Sequence, residues 1–100
     1  MTKEEKVVKF TNITENLNQT YKQKNENYGD SFGELYKKLG PKSGLVPLYN
    51  KLNRLTELLN NPESNHFESI EDTIKDLACY AVMNLIEWEE WKKGEEEEDD

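Results

Sequence analysis

The chain has a single cysteine, Cys79, so neither an intrachain disulfide nor a thiolate metal centre can be built, and a reducing compartment suits it. It has one histidine, His66, set in a polar stretch with no second histidine or cysteine to complete a transition-metal site. Long apolar runs are missing as well. The longest, Leu77 to Ile86, is interrupted by Asn84 and is too short to cross a bilayer, and no apolar signal or anchor segment occupies the first thirty positions. There are only three prolines and five glycines, and no glycine-rich phosphate loop. Strand-like alternation, hairpin signals and internal repeats are likewise lacking. These absences argue against a membrane protein, a disulfide scaffold and a zinc module. The expectation is one small cytoplasmic domain, made without export.

What is present is charge and thin amphipathic stripes. Of 100 residues, 34% are hydrophobic and 34% charged, so the core must be assembled from helix faces. A domain of this size has difficulty covering its apolar surface, and Trp88 and Trp91 are the expected dimer contact. The net charge is −8, but Glu95, Glu96, Glu97, Glu98, Asp99 and Asp100 supply six of those charges, leaving −2 on the body. Such a run reads as a solvated tail whose removal leaves the fold intact. The domain is therefore assigned to residues 1–93 and an acidic disordered tail to 94–100. Two glycosylation sequons, at Asn12 and Asn18, carry no weight in a chain that is not secreted.

Apolar residues at Phe10, Ile13, Leu17 and Tyr21 give a helix from Lys3 to about Lys24. A break at 25–30 follows, with Gly29 free to take a positive φ and Asp30 able to cap a second helix. That helix carries Phe32, Leu35, Tyr36 and Leu39 on its buried side and stops at Gly40-Pro41. Ser43 is the expected cap of a third helix, striped by Leu45, Leu48, Leu52, Leu55 and Leu59, with Pro47 in its first turn. Asn60 to Phe67 reads as a loop. Ser69 followed by Asp72 resembles a capping box that opens a long helix to about Trp91, apolar nearly all round and hence central. The expected fold is all-α, an antiparallel bundle of about four helices.

The chemistry concentrates in the last helix. Glu68, Asp72 and Asp76 fall four residues apart and share a face, and Asp76 borders the apolar segment, where a carboxylate needs a cation or hydrogen-bond donors. Lys51 and Arg54 are the available cations, three apart on the third helix and off its leucine stripe. One reading is internal pairing, in which either cation neutralises Asp72 or Asp76 across the helix interface. The other is functional: Asp72 and Asp76 hold a hydrated Mg²⁺ while Lys51 and Arg54 contact phosphate oxygens. Tyr28, in the Tyr28-Gly29-Asp30-Ser31 turn, either stacks on a base or belongs to a capping turn. Tyr80, one turn past Asp76, lines a pocket or fills the core. Cys79, in the most apolar helix, reads as an inert core thiol.

Three blocks, Lys24 to Phe32, Leu52-Asn53-Arg54-Leu55 and Glu71 to Ala81, resemble in order the phage nucleotide-modification-associated domain, type 1, a group that looks MazG-like and related to all-α nucleoside triphosphate pyrophosphatases. The resemblance runs from about residue 20 to residue 88. It implies a helical domain, often dimeric, with a nucleotide site between the acidic helix and its neighbours. MazG-type pyrophosphatases pair Glu-x-x-Glu on one helix with Glu-x-x-Asp on another. Here Lys51 and Arg54 stand at the first pair, and at the second the spacing is Asp72 to Asp76, with Thr73 where an acid would fall. Basic residues there favour phosphate binding and remove metal ligands.

The leading expectation is a homodimer in the cytoplasm, or the host cytoplasm if phage-encoded, that binds a nucleotide through Lys51, Arg54, Tyr28 and Tyr80, with Asp72, Asp76 and Glu68 for Mg²⁺. If catalytic, it would cleave a nucleoside triphosphate at the α–β phosphoanhydride. The alternatives are a protein that sequesters a nucleotide signal without turnover, and an inhibitor of a host protein whose acidic surface enters a basic groove.

Overall fold

Leu39 is followed by the pair Gly40-Pro41, and that pair punctuates the chain where expected. In the computed structural model, which describes residues 1–61 and 67–98 (28, 97 and 98 by backbone alone), the elements in chain order are α1 (Lys3–Tyr28), α2 (Ser31–Leu39), a 3₁₀ turn (Pro41–Gly44), α3 (Leu45–Leu59) and α4 (Phe67–Glu98). The all-α class with four helices is as expected, and there is no strand among the described residues. No described helix is long and apolar enough to cross a membrane. The chain divides into two compact units, Met1–Asp30 and Ser31–Asp100.

In the first unit, Thr2 caps α1: its Oγ1 accepts from the Glu5 amide at 3.1 Å, and Glu4 and Glu5 place negative charge in the first turn, where the helix dipole favours it. The helix outruns its expected end at Lys24 because residues 25–27 lack apolar side chains but contain no helix breaker. It stops only at Gly29, whose φ of 72° turns the chain and whose amide donates to the Asn25 carbonyl at 3.0 Å. Of the expected buried stripe, Phe10 and Ile13 are exposed.

The second unit packs α2, the 3₁₀ turn and α3 against α4. In α2 the buried positions are Gly33 and Tyr36, while Leu35 and Leu39, expected inside, are exposed. Gly40, at φ 84°, donates to the Tyr36 carbonyl at 2.7 Å. A Cβ there would sit 3.3 Å from the Trp91 ring, so this turn lies directly on α4. Ser43 does not cap α3. Its hydroxyl donates back to the Gly40 carbonyl at 2.8 Å, closing the 3₁₀ turn, and Gly44 takes the cap position without a side-chain bond.

The leucine stripe of α3 is also corrected. Leu45, Leu52 and Leu59 are 55–61% exposed; the face turned toward α4 runs through Gly44, Leu48, Lys51, Leu55 and Leu58. Apolar residues cover an arc wider than one contact, and periodicity alone does not say which edge of that arc packs. On α4 the inner face runs through Ser69, Thr73, Asp76, Leu77, Tyr80, Asn84, Glu87 and Trp91. The helix begins at Phe67, so Ser69 lies inside it, and the Ser69 carbonyl accepts from the Thr73 hydroxyl at 2.7 Å. Of the expected loop from Asn60 to Phe67, Phe67 instead opens α4, and residues 62–66, with His66, lie outside the described residues. At the far end α4 continues past Trp91 and takes in residues 94–98 of the expected tail.

An aromatic cluster ties α2 to α4. Phe32 lies 6.1 Å from both Tyr36 and Tyr80, and Trp91 meets Tyr36 edge-on at 6.2 Å. Trp91 is thereby committed inside its own chain, so of the two tryptophans expected at a dimer contact only Trp88, 45% exposed, is open to one.

Candidate functional site

Two crossings fix α3 against α4. Near one end the Asn84 amide donates to the Gly44 carbonyl at 3.1 Å and to the Tyr80 carbonyl at 2.8 Å. Two turns along α3, the Lys51 ammonium meets Asp76 Oδ2 at 2.9 Å, with the two side chains 32% and 34% exposed. Residue numbers rise on one helix as they fall on the other, so the pair is antiparallel.

This register also sorts the flanks. At 3.6 residues per turn, the position one step before an inner-face residue swings about 100° to one flank, and the position one step after swings to the other. Antiparallel pairing reverses both the chain direction and the sense of rotation, so like steps on the two helices emerge on the same side. Arg54 precedes Leu55; Glu68 and Asp72 precede Ser69 and Thr73. These charged side chains, all exposed, share one flank, and Arg54 comes level with Thr73, beside Asp72.

Lys51, Arg54, Asp72 and Asp76 thus gather along one edge of the α3–α4 pair. Lys51 is the cation that meets Asp76, and it does so from the inner face of α3 rather than from outside the stripe. Arg54 makes no ion pair among the described residues. With about a third of each side chain in solvent, the Lys51–Asp76 contact contributes roughly 0–1 kcal/mol and can exchange partners. Glu68 sits in the first turn of α4, where the helix dipole favours a carboxylate.

The aromatic residues fare differently. Tyr80 is half-buried, packed on Phe32 as part of the cluster, so it lies behind the edge rather than standing open as a stacking platform. The Tyr28 side chain lies outside the described residues. Among the described residues no three His, Cys, Asp or Glu side chains come together as a metal cluster. Two carboxylates one helical turn apart still fit a hydrated Mg²⁺ that arrives with its phosphates, which needs only one or two protein oxygens.

Two features were not assigned a place from the sequence. Asn84, seen there only as an interruption of an apolar run, is the polar latch that seats the 3₁₀ turn; a half-buried amide in an apolar stretch is the signal that marks it. A cleft of about 320 Å³ opens further along α4, lined by Tyr36, Lys37, Glu87, Glu90, Trp91, Gly94 and Glu95, and holds none of the expected site residues. Burial, and then the nearby Glu87 carboxylate, push the Tyr36 phenol above its ordinary value.

A family model described as nucleotide modification associated domain 1 matches residues 24–88, which takes in α2, α3 and the whole charged edge. No curated protein and no solved structure gives a significant match.

Proposed function

Because the chain belongs to the nucleotide modification associated domain 1 family, we propose that it binds a nucleotide through its phosphates along the charged edge of the α3–α4 pair. The observation that supports this most is the unequal pairing of the two cations. Arg54 is exposed and makes no ion pair among the described residues, while its neighbour Lys51 is held by a single, partly solvated contact to Asp76. A phosphate at this edge meets the planar guanidinium of Arg54, suited to two-point contact with phosphate oxygens, and the mobile point charge of Lys51. As Lys51 turns to the phosphate, Asp76 is released beside Asp72.

Asp72 and the freed Asp76 then suit a Mg²⁺ carried in by the nucleotide, with Glu68 one turn further toward the start of α4. Mg²⁺ at such a position supplies charge neutralisation and an activated water. In the hydrolytic form of this reading, Asp72 and Asp76 would hold the ion, and Lys51 and Arg54 would stabilise the charge that develops on the phosphate oxygens as the α–β phosphoanhydride is cleaved. The MazG-like resemblance favours this form. The second form is sequestration without turnover, favoured by the Lys51 contact that occupies one oxygen of Asp76 and by the small number of carboxylates at the edge.

Thermal stability against a panel of nucleoside mono-, di- and triphosphates, with and without Mg²⁺, tests the proposal. At a hundredfold excess over Kd, binding adds about 2.7 kcal/mol to stability. A shift that needs Mg²⁺, with pyrophosphate released from a triphosphate, supports hydrolysis; a shift without product supports sequestration. No shift with any nucleotide at millimolar concentration overturns the site.

A further inference from the structure

The inner stripe of α4 runs on beyond its contact with α3. Asn84 meets Gly44, at the start of α3, and α3 leads from there toward Asp76. Past Asn84 the stripe continues through Glu87, Trp91 and Glu95, four residues apart on one helix face, with Glu90 and Gly94 beside it. Tyr36 and Lys37 of α2 close the other side, and the space between is the cleft of about 320 Å³.

Two polar groups in this cleft are not accounted for by packing. Tyr36 is 3% exposed, yet its hydroxyl makes no hydrogen bond among the described residues. No fully buried polar side-chain atom there lacks a partner, so this oxygen reaches the surface of the cleft that Tyr36 lines. Glu87 is half-buried and makes no ion pair or hydrogen bond among the described residues. Its charge lies close enough to help raise the Tyr36 pKa, which keeps the phenol neutral and able to accept from a donor.

We propose that the cleft binds a linear aliphatic polyamine, a chain of primary and secondary ammonium groups joined by three or four methylenes, with one ammonium held between Glu87 and the Tyr36 hydroxyl. The sign of the charge favours a cation, since Glu87, Glu90 and Glu95 face Lys37 alone. Glu90 is engaged by Lys93 at 3.3 Å, with both side chains 66% exposed, a contact that exchanges readily. The Tyr36 hydroxyl and the Glu87 carboxylate both accept from N–H groups, which a quaternary ammonium does not have. Spacing favours a chain over a compact ion. Among the described residues no three carboxylates converge as a metal site, whereas Glu87 and Glu95 are separated by about 12 Å of helix rise. A triamine with three- and four-carbon spacers spans about 11 Å. Its methylenes and ammonium groups suit the indole of Trp91, which Tyr36 meets edge-on at 6.2 Å and which lines the cleft between Glu87 and Glu95.

This site contains none of the charged-edge residues, so it is tested without nucleotide. The measurement is isothermal titration calorimetry of the full chain with spermidine at neutral pH and low salt, beside 1,4-diaminobutane and tetramethylammonium. One spermidine is expected per chain, with 1,4-diaminobutane about tenfold weaker and no binding of tetramethylammonium. Glu87→Gln is expected to weaken spermidine at least tenfold, and Tyr36→Phe about fivefold, the worth of one hydrogen bond. Gly94→Leu fills the cleft from a position where a Cβ meets nothing within 4 Å, and it favours the helix, so it is expected to block binding in a folded protein. Glu96→Gln with Glu97→Gln, outside the cleft, is expected to change affinity less than threefold. Absence of binding at about 1 mM spermidine, equal binding of tetramethylammonium, or an affinity lost with Glu96 and Glu97 but indifferent to Glu87→Gln and Gly94→Leu overturns the proposal; the last result marks unspecific attraction to the acidic end of the chain.

Discussion

Removing the Asn84 amide is the sharpest probe of how the second unit is held together. Its side chain reaches from α4 to the Gly44 carbonyl across forty residues of sequence, and Gly44 carries no Cβ because one would overlap that same amide; its Cγ would lie 2.8 Å away and the Tyr36 ring 3.2 Å away. Asn84→Ala deletes one long-range hydrogen bond, worth about 1 kcal/mol. The second bond, to Tyr80 one turn back in α4, adds little, because that carbonyl already sits in the helix ladder. With the lost packing of a half-buried side chain the cost is about 1–2 kcal/mol, or roughly 5–15 °C in melting temperature for a unit of this size.

Gly44→Ala should do comparable damage by a different route, since the new methyl group expels the amide and so breaks the same bonds. In the double variant the amide is absent and the methyl group meets only the edge of Tyr36. The two changes must therefore fall well short of additive, with a coupling of about 1 kcal/mol. Thermal and urea denaturation followed by helical circular dichroism measures all four corners of the cycle. Additive losses, or a melting temperature for Asn84→Ala within about 1 °C of the parent, refute the latch.

Three other outcomes follow from the same geometry. Lys51→Ala and Asp76→Asn should each cost under about 1 kcal/mol of stability while removing the nucleotide-induced thermal shift; Arg54→Ala should weaken that shift with no stability change, since it takes no ion pair from among the described residues. Gly40→Ala and Gly29→Ala both force a residue into left-handed backbone at about 1–2 kcal/mol, but only at Gly40 does the methyl group press on Trp91, so Gly40→Ala should be the more damaging in melting experiments. Tyr36 has a raised pKa in the folded state, so it holds its proton where the unfolded chain has released it. Stability should then fall as pH rises above about 10, and Tyr36→Phe should flatten that fall and remove the latest-titrating phenolate absorbance at 295 nm.

How much of this was legible in the sequence depended on whether a residue acts locally. The ends of α2 were readable because Gly40-Pro41 is a backbone instruction, satisfied by a φ of 84° whatever lies around it. The end of α1 was misplaced because a loss of apolar residues was taken for a loss of helix, although only Gly29 interrupts the backbone. Ser43 and Ser69 both have the look of caps, yet the Ser43 hydroxyl donates within the 3₁₀ turn and the Ser69 carbonyl accepts inside an α4 that starts earlier. The Lys51–Asp76 pair was anticipated as one of several pairings of two cations with two acids. Choosing among them required knowing that Lys51 lies on the inner face of α3 and Arg54 on its flank, and that depends on the edge of the leucine arc that packs, a tertiary fact.

The same misreading explains the surface. A chain whose described core holds only Tyr36 and Leu58 as buried large side chains, with Leu45, Leu52, Leu59, Ile74, Leu85 and Trp88 all open, has apolar residues enough for two interfaces on each long helix. Periodicity merged them into one stripe because successive inner and outer positions differ by a single step of about 100°. Once separated, α4 shows three faces around its circumference: an inner face that carries the packing and the Asn84 latch, a flank with carboxylates set against basic residues of α3, and an opposite flank left apolar and open at Ile74, Leu85 and Trp88. A helix apolar nearly all round is usually read as central to its own chain. Here only one face of it is central, because the residues one step after that face, Ile74, Leu85 and Trp88 among them, stay open to solvent.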